Sequence, residues 1–129
     1  MYYSNGSYFS DNTLTIPVTD RGILLADGLF ETVYIKDRAP LFLADHYSRL
    51  QGAASVIKIP FELTLSELEK ITGRLIDENF SDDETEGSLR ITLTRGSGPR
   101  GIGIPCEVSP TLFVTVRACQ NITSPSETR

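Results

Sequence analysis

The sequence predicts an α+β fold, a mainly antiparallel sheet with two consecutive helices packed on it. Three observations carry this expectation. Asn5-Gly6 sits between two short runs, residues 1–4 and 7–9, and favours the positive φ angles of a two-residue hairpin turn. Residues 29–36 are rich in β-branched and aromatic side chains, and apolar residues alternate with period two over residues 88–94 and 111–118. Between the first and second of these stretches the apolar period lengthens to three or four residues. At 129 residues the chain has the length of one compact domain rather than two.

Each element has its own signal. After the hairpin, Leu14, Ile16 and Val18 alternate with Thr15 and Thr19, which predicts a strand over residues 14–18. Thr19-Asp20-Arg21-Gly22 reads as a turn. Residues 29–36, rich in β-branched and aromatic side chains, predict a strong strand. Asp37-Arg38-Ala39-Pro40 then reverses the chain into a short strand, Leu41-Phe42-Leu43. From Ala44 the pattern is helical. His46, Leu50, Ala53 and Ile57 share one face, and Pro60 ends the element because the residue before a proline is disfavoured in helix. Thr64 and Glu67 form a capping-box pattern that opens a second helix. Its apolar stripe is Leu65, Leu68, Ile71, Leu75 and Ile76, with Gly73 as a mild penalty. An acidic loop over residues 81–87 separates this helix from the last two strands. Residues 120–129 are polar without an apolar period, so they are expected to be a tail, or the start of an interdomain linker, after a domain of residues 1–119.

Composition excludes several classes of function. Hydrophobic residues at 40% and charged residues at 22% exclude a disordered or fibrous chain. Twelve Lys+Arg against seventeen Asp+Glu leave a formal charge of −5, which disfavours nucleic acid as a partner, since a phosphate backbone seeks a positive surface. No apolar run approaches the roughly 20 residues of a bilayer span, so no membrane partner is expected. The start, MYYSNGSYFS, has neither a basic region nor an apolar run, and no signal peptide is expected. Cys106 and Cys119 read as two reduced thiols of a cytoplasmic protein.

Three segments bear the residue types of a binding site. In Arg95-Gly-Ser-Gly-Pro-Arg100-Gly-Ile-Gly-Ile-Pro105, four of the ten glycines fall between positions 96 and 103. Backbone this poor in side chains lets amides and the two arginines approach a ligand, and the guanidinium fork suits a carboxylate or phosphate. No Gly-Lys-Ser/Thr follows, so the loop is not a Walker A. The same composition also fits a long connection between two antiparallel strands. In Asp45-His46-Tyr-Ser-Arg49-Leu50, one histidine cannot make a metal site alone, so a half-buried helix histidine with its own hydrogen-bond partner is expected, and no metal. Arg49 is either a surface residue or an anion clamp. In the third segment, residues 20–32, Phe30 and Glu31 point to opposite faces of a strand. Glu31 is either an outward solvated charge or an inward polar group that must be paired.

Taken in order and spacing, Asp20-Arg21-Gly22, Asp27-Gly28-Leu29-Phe30-Glu31-Thr32, His46-Tyr-Ser-Arg49-Leu50 and Thr94-Arg95-Gly96-Ser-Gly-Pro-Arg100-Gly101 resemble the N-terminal domain of the class IV (fold type IV) pyridoxal-phosphate enzymes. That family contains 4-amino-4-deoxychorismate lyase, D-amino-acid aminotransferase and branched-chain aminotransferase. The resemblance runs from about Asn5 to Ala118. It implies the N-terminal domain of the D-amino-acid aminotransferase-like fold, with pyridoxal 5'-phosphate as the cofactor of the complete enzyme. It implies an aminotransferase or lyase acting on an amino-acid-like substrate, amino acids or 4-amino-4-deoxychorismate, and working as a homodimer. By the same resemblance Arg49 contacts the cofactor phosphate, Phe30 lines the substrate pocket and Arg100 holds the substrate carboxylate. Arg90 matches a strand position whose arginine does that job in the branched-chain branch.

Departures from the family pattern carry implications of their own. The family's lysine that forms a Schiff base with the cofactor lies in a following domain, as does the glutamate that partners the pyridine nitrogen. Lys36, Lys58 and Lys70 match no such context. The resemblance therefore implies that this chain holds no catalytic residue, lacks the C-terminal cofactor-lysine domain and is inactive alone. Ala26 stands where a glycine is common before Asp-Gly, and Ile102 stands where D-amino-acid aminotransferases carry a histidine. The latter implies against a D-amino-acid transaminase, while Leu-Phe-Glu-Thr with Arg-Gly-Ser-Gly-Pro-Arg-Gly is similar to the lyase branch. The alternative is a stand-alone, non-catalytic module that binds a small anion or a partner.

Overall fold

The computed structural model of the chain describes residues 1–98 and 108–119. Six strands form one sheet: β1 (Tyr2–Ser4), β2 (Ser7–Phe9), β3 (Gly28–Lys36), β4 (Ala39–Pro40), β5 (Gly87–Thr94) and β6 (Thr111–Ala118). Their order is β2-β1-β6-β5-β3-β4, and every neighbouring pair is antiparallel. A short helix, α1 (Arg21–Leu25), precedes β3, and two longer helices, α2 (Leu43–Ile57) and α3 (Leu65–Asn79), lie between β4 and β5. The architecture is the α+β class expected.

Strand alternation decides which face is covered. In β3 Glu31, Val33 and Ile35 are buried, while Phe30, Thr32, Tyr34 and Lys36 are exposed. The buried row of β3 joins Leu89 and Ile91 of β5 and Val114 and Val116 of β6. Against these pack Leu43 and Leu50 of α2 and Leu68, Ile71, Leu75 and Ile76 of α3. Both helices therefore cover the same face, and the exposed row of β3 looks out from the other. Removing this apolar surface from water is the main force that seats the helices, at about 25 cal/mol per Å².

Local chemistry sets the boundaries. Asn5 (φ 44°) and Gly6 (φ 93°) take the two positive φ angles that the hairpin demands. At the start of α3, the Thr64 hydroxyl accepts from the Glu67 amide at 3.1 Å, and the Glu67 carboxylate accepts from the Thr64 amide at 2.8 Å. This is the capping box expected. In α2 the fully buried positions are Leu43, Leu50 and Ala54, whereas His46, Ala53 and Ile57 are only half-buried. That helix stops before Pro60, where Lys58 turns left-handed (φ 61°) and its amide reaches the carbonyls of Ala54 and Ser55. Among the described residues, no helix is long and apolar enough to cross a membrane.

Three expectations are corrected. Residues 14–18 form no strand, because Pro17 supplies no amide to a ladder and Val18 is 73% exposed. Leu41-Phe42-Leu43 is not a strand either. Asp37 and Arg38 make the reversal with positive φ angles, β4 is Ala39–Pro40, and Leu43 already begins α2. Asp20-Arg21-Gly22, read as a turn, instead opens α1: the Asp20 carboxylate accepts from the Gly22 amide at 2.8 Å and caps the helix. Five residues are too few to show a helical period in the sequence.

Candidate functional site

The candidate site is built where α2 crosses the start of β3. Alternation turns Glu31 toward the helix side, where it is 9% exposed. A carboxylate there must be paired. Residues 46 and 49 of α2 stand three apart on one helix face and supply the partners. Arg49 donates from Nε to Oε2 at 3.0 Å and from Nη2 to Oε1 at 2.7 Å, and His46 Nδ1 lies 2.6 Å from Oε1. The Arg49 fork holds the Glu31 carboxyl below its ordinary range, against the upward push of burial, and the His46 contact adds to the lowering. The Arg49 side chain is itself 69% exposed. It is thus a guanidinium fixed on one edge and open to solvent on the other. His46 is the partnered, half-buried helix histidine expected.

A second polar cluster sits beneath the turn before β3. Asp27 Oδ2 accepts from Arg21 Nε at 2.9 Å and Arg95 Nε at 2.8 Å, and both arginines are buried. Arg95 also donates to the carbonyls of Ile57 at 2.9 Å and Lys58 at 3.1 Å, the end of α2 where the helix dipole is negative. Burial pushes the Asp27 carboxyl up, but the two guanidinium bonds outweigh it and hold it below its ordinary range. Arg95 is therefore fully committed inside the protein, which corrects its reading as a loop arginine that approaches a ligand. The loop it precedes is tied at its base: Gly96 has φ 89°, and a Cβ there would collide with the Ser109 carbonyl. Beside the cluster lies an open groove of about 660 Å³, but neither Phe30, Arg49 nor Arg90 lines it.

The remaining predicted site residues fall on the other face. Phe30 is 57% exposed, and the Arg90 guanidinium lies over its ring at 3.9 Å from the centroid. Arg90 on β5 stands directly opposite Thr32 of β3 and Thr115 of β6. The structure thus brings Phe30 and Arg90 together and places Arg49 with Glu31 on the helix side of the same strand. Arg100, like Ile102 and Cys106, lies outside the described residues. Lys36 ends β3, Lys58 caps α2, and Lys70 lies on the exposed side of α3. Sequence spacing carries no sign of the anchor formed by Asp27, Arg21 and Arg95, because residues 27 and 95 are far apart in sequence and meet only in the fold. Glu31, which the sequence leaves open between an outward charge and an inward paired group, faces inward with Val33 and Ile35, whose period of two it shares.

A model of the family described as amino-transferase class IV matches residues 28–128. A curated D-alanine aminotransferase from Staphylococcus aureus (strain N315) is 28% identical over 117 residues, which cover 90% of this chain and 40% of the relative. The crystal structure of 4-amino-4-deoxychorismate lyase from Pseudomonas aeruginosa superposes with a TM-score of 0.69 at 24% identity, covering 98% of this chain and 42% of that one. A hypothetical aminotransferase from Mycobacterium tuberculosis, in its PLP-bound form, gives 0.71 at 23% identity and covers 92% of this chain and 39% of that one. These two structures share the fold. The chain spans 36–40% of the length of the curated relatives it matches.

Proposed function

The chain belongs to the amino-transferase class IV family, and on that premise we propose that it forms the N-terminal part of a pyridoxal 5'-phosphate-dependent aminotransferase or lyase. Its substrates are amino acids or 4-amino-4-deoxychorismate. In this reading Arg49 anchors the cofactor phosphate, and Phe30 and Arg90, with Arg100 from the glycine-rich loop, receive the substrate and its carboxylate. The lysine that carries the cofactor comes from chain beyond residue 129, so this part is inactive alone. The complete enzyme is a cytoplasmic homodimer.

The observation that carries the proposal is the Glu31–Arg49 pair. A phosphate anchor needs a guanidinium with a fixed plane and a free edge, and Glu31 fixes Nε and Nη2 while the side chain stays mostly exposed. The donor set fits a phosphate. When bound, the cofactor supplies an electron sink for the bonds at the substrate α-carbon. What this chain adds is orientation: Arg49 holds one end of the group, Phe30 gives an apolar wall, and Arg90 gives a cation held over that wall by a cation–π contact. The test is to express the complete reading frame and add pyridoxal 5'-phosphate. A visible absorbance band of protein-bound cofactor supports the proposal; a protein that stays colourless overturns it.

A further inference from the structure

The open face of the sheet differs in charge from the rest of the molecule. The chain carries seventeen Asp+Glu, yet among the described residues Glu31 is the only acidic one in a strand, and it faces the helices. The acid nearest this face in sequence, Glu86, immediately precedes β5 and accepts the Tyr34 hydroxyl at 2.6 Å. Two arginines project from the face. Arg90 is opposite Thr115 on β6, and Arg117 of β6 is opposite Ser88, so the two arginines are diagonal neighbours on paired strands. Such neighbours have Cα atoms about 7–8 Å apart, well within the combined reach of two arginine side chains. Among the described residues neither arginine forms an ion pair, and the hydroxyls of Thr32, Ser88 and Thr115 make no hydrogen bond.

From these positions we infer that Arg117, with Ser88, is a second anion-binding residue beside Arg90, and that it makes the open face prefer ligands carrying two acidic groups over ligands carrying one. Two unpaired cations on neighbouring strands repel each other until an anion lies across them, and a ligand with one acid per guanidinium relieves that repulsion twice. The hydroxyls of Thr32, Thr115 and Ser88 flank the two cations and add donors at the same height above the sheet. Arg90 is held over the Phe30 ring, so less of its rotamer freedom is lost when a ligand binds. The inference rests on the reading of Phe30 and Arg90 as substrate contacts, and Arg117 is a specificity residue within it.

The test titrates the product of the complete reading frame with glutarate and with pentanoate, which match in chain length and differ by one carboxylate. The unaltered protein is expected to bind glutarate about five- to tenfold more tightly. Arg117→Gln is expected to cost glutarate about five- to tenfold more than it costs pentanoate and so to erase that preference, and Arg117→Lys to keep part of it. Arg90→Gln is expected to weaken both ligands. An equal affinity for the two acids in the unaltered protein overturns the inference, and so does an unchanged ratio in Arg117→Gln or an equal loss for both acids there. The cofactor band recorded on the same samples separates the two readings. A missing band with the ratio intact removes the cofactor proposal alone, whereas a band with no Arg117-dependent ratio removes only the second subsite.

Discussion

The carboxylate of Glu31 receives two hydrogen bonds from Arg49, at 3.0 and 2.7 Å, across the boundary between β3 and α2. One residue is buried in a strand and the other lies on the outer part of a helix, so the pair fixes the guanidinium relative to the sheet. The preceding residue on the strand, Phe30, points the opposite way to the open face. A two-residue step of sequence, Phe30-Glu31, therefore serves both sides of the sheet at once.

Replacing Glu31 with alanine leaves Arg49 and the half-buried His46 without their shared acceptor. Arg49 regains water, so only part of the bonding is lost, and a destabilisation of about 1–2 kcal/mol is expected. Urea denaturation measures it. An unchanged midpoint would mean that the pair is an exposed contact of no consequence.

Acidification should remove stability through the same group. The ordinary values are 4.5 for Glu31 and 3.8 for Asp27, and both are lowered in the folded protein. A lowered folded value means that the unfolded chain binds protons first as pH falls. The contribution is thus complete above the ordinary value and fades as pH drops through the folded one. Urea midpoints recorded from pH 7 to pH 3 should fall more steeply for the native sequence than for Glu31→Gln. Parallel curves would count against the assignment.

Arg95 is the interior counterpart. Its side chain joins Asp27, the end of α2 and, through Asp27, Arg21. Arg95→Leu leaves a carboxylate with one of its two cations and two carbonyls without donors. The expected loss is about 3 kcal/mol or more, typical of breaking a buried ion pair from one side. A loss below about 1 kcal/mol, within the range of a surface pair, would contradict it.

Ala26 closes α1 in a left-handed conformation, φ 54° and ψ 32°, with its amide on the Arg21 carbonyl. A Cβ is disfavoured there by about 1 kcal/mol, which explains why the sequence resemblance marks this position as one where glycine is common. Ala26→Gly is expected to raise the thermal midpoint. A fall would show that the helix end pays more in unfolded-chain entropy than it regains.

Sequence patterns carried far in this chain where burial repeats with a clear period. The three long strands, the Thr64–Glu67 capping box and the pair of consecutive helices all follow from local chemistry that the fold does not override. The failures lie where one residue breaks a pattern that otherwise looks regular. Pro17 interrupts an alternating run, and Phe42 turns left-handed (φ 56°) where an apolar triplet looked extended. The site divides in the same way. The half-buried, partnered His46 follows from its place on the helix, whereas spacing leaves Arg49 between a surface residue and an anion clamp and Glu31 between an outward and an inward charge, and only the fold pairs them. The Asp27–Arg95 bond joins residues 68 apart, and no spacing rule reaches that far.

The central claim is that Arg49 holds the phosphate of the cofactor in the complete protein. Its most direct test is the affinity for pyridoxal 5'-phosphate of the native sequence and of Arg49→Ala, followed by the visible absorbance of the bound cofactor, with circular dichroism confirming that both are folded. A loss of about tenfold or more in the variant is predicted, the weight of a charged hydrogen-bonded contact to a phosphate. Equal affinity in two folded proteins would contradict the claim.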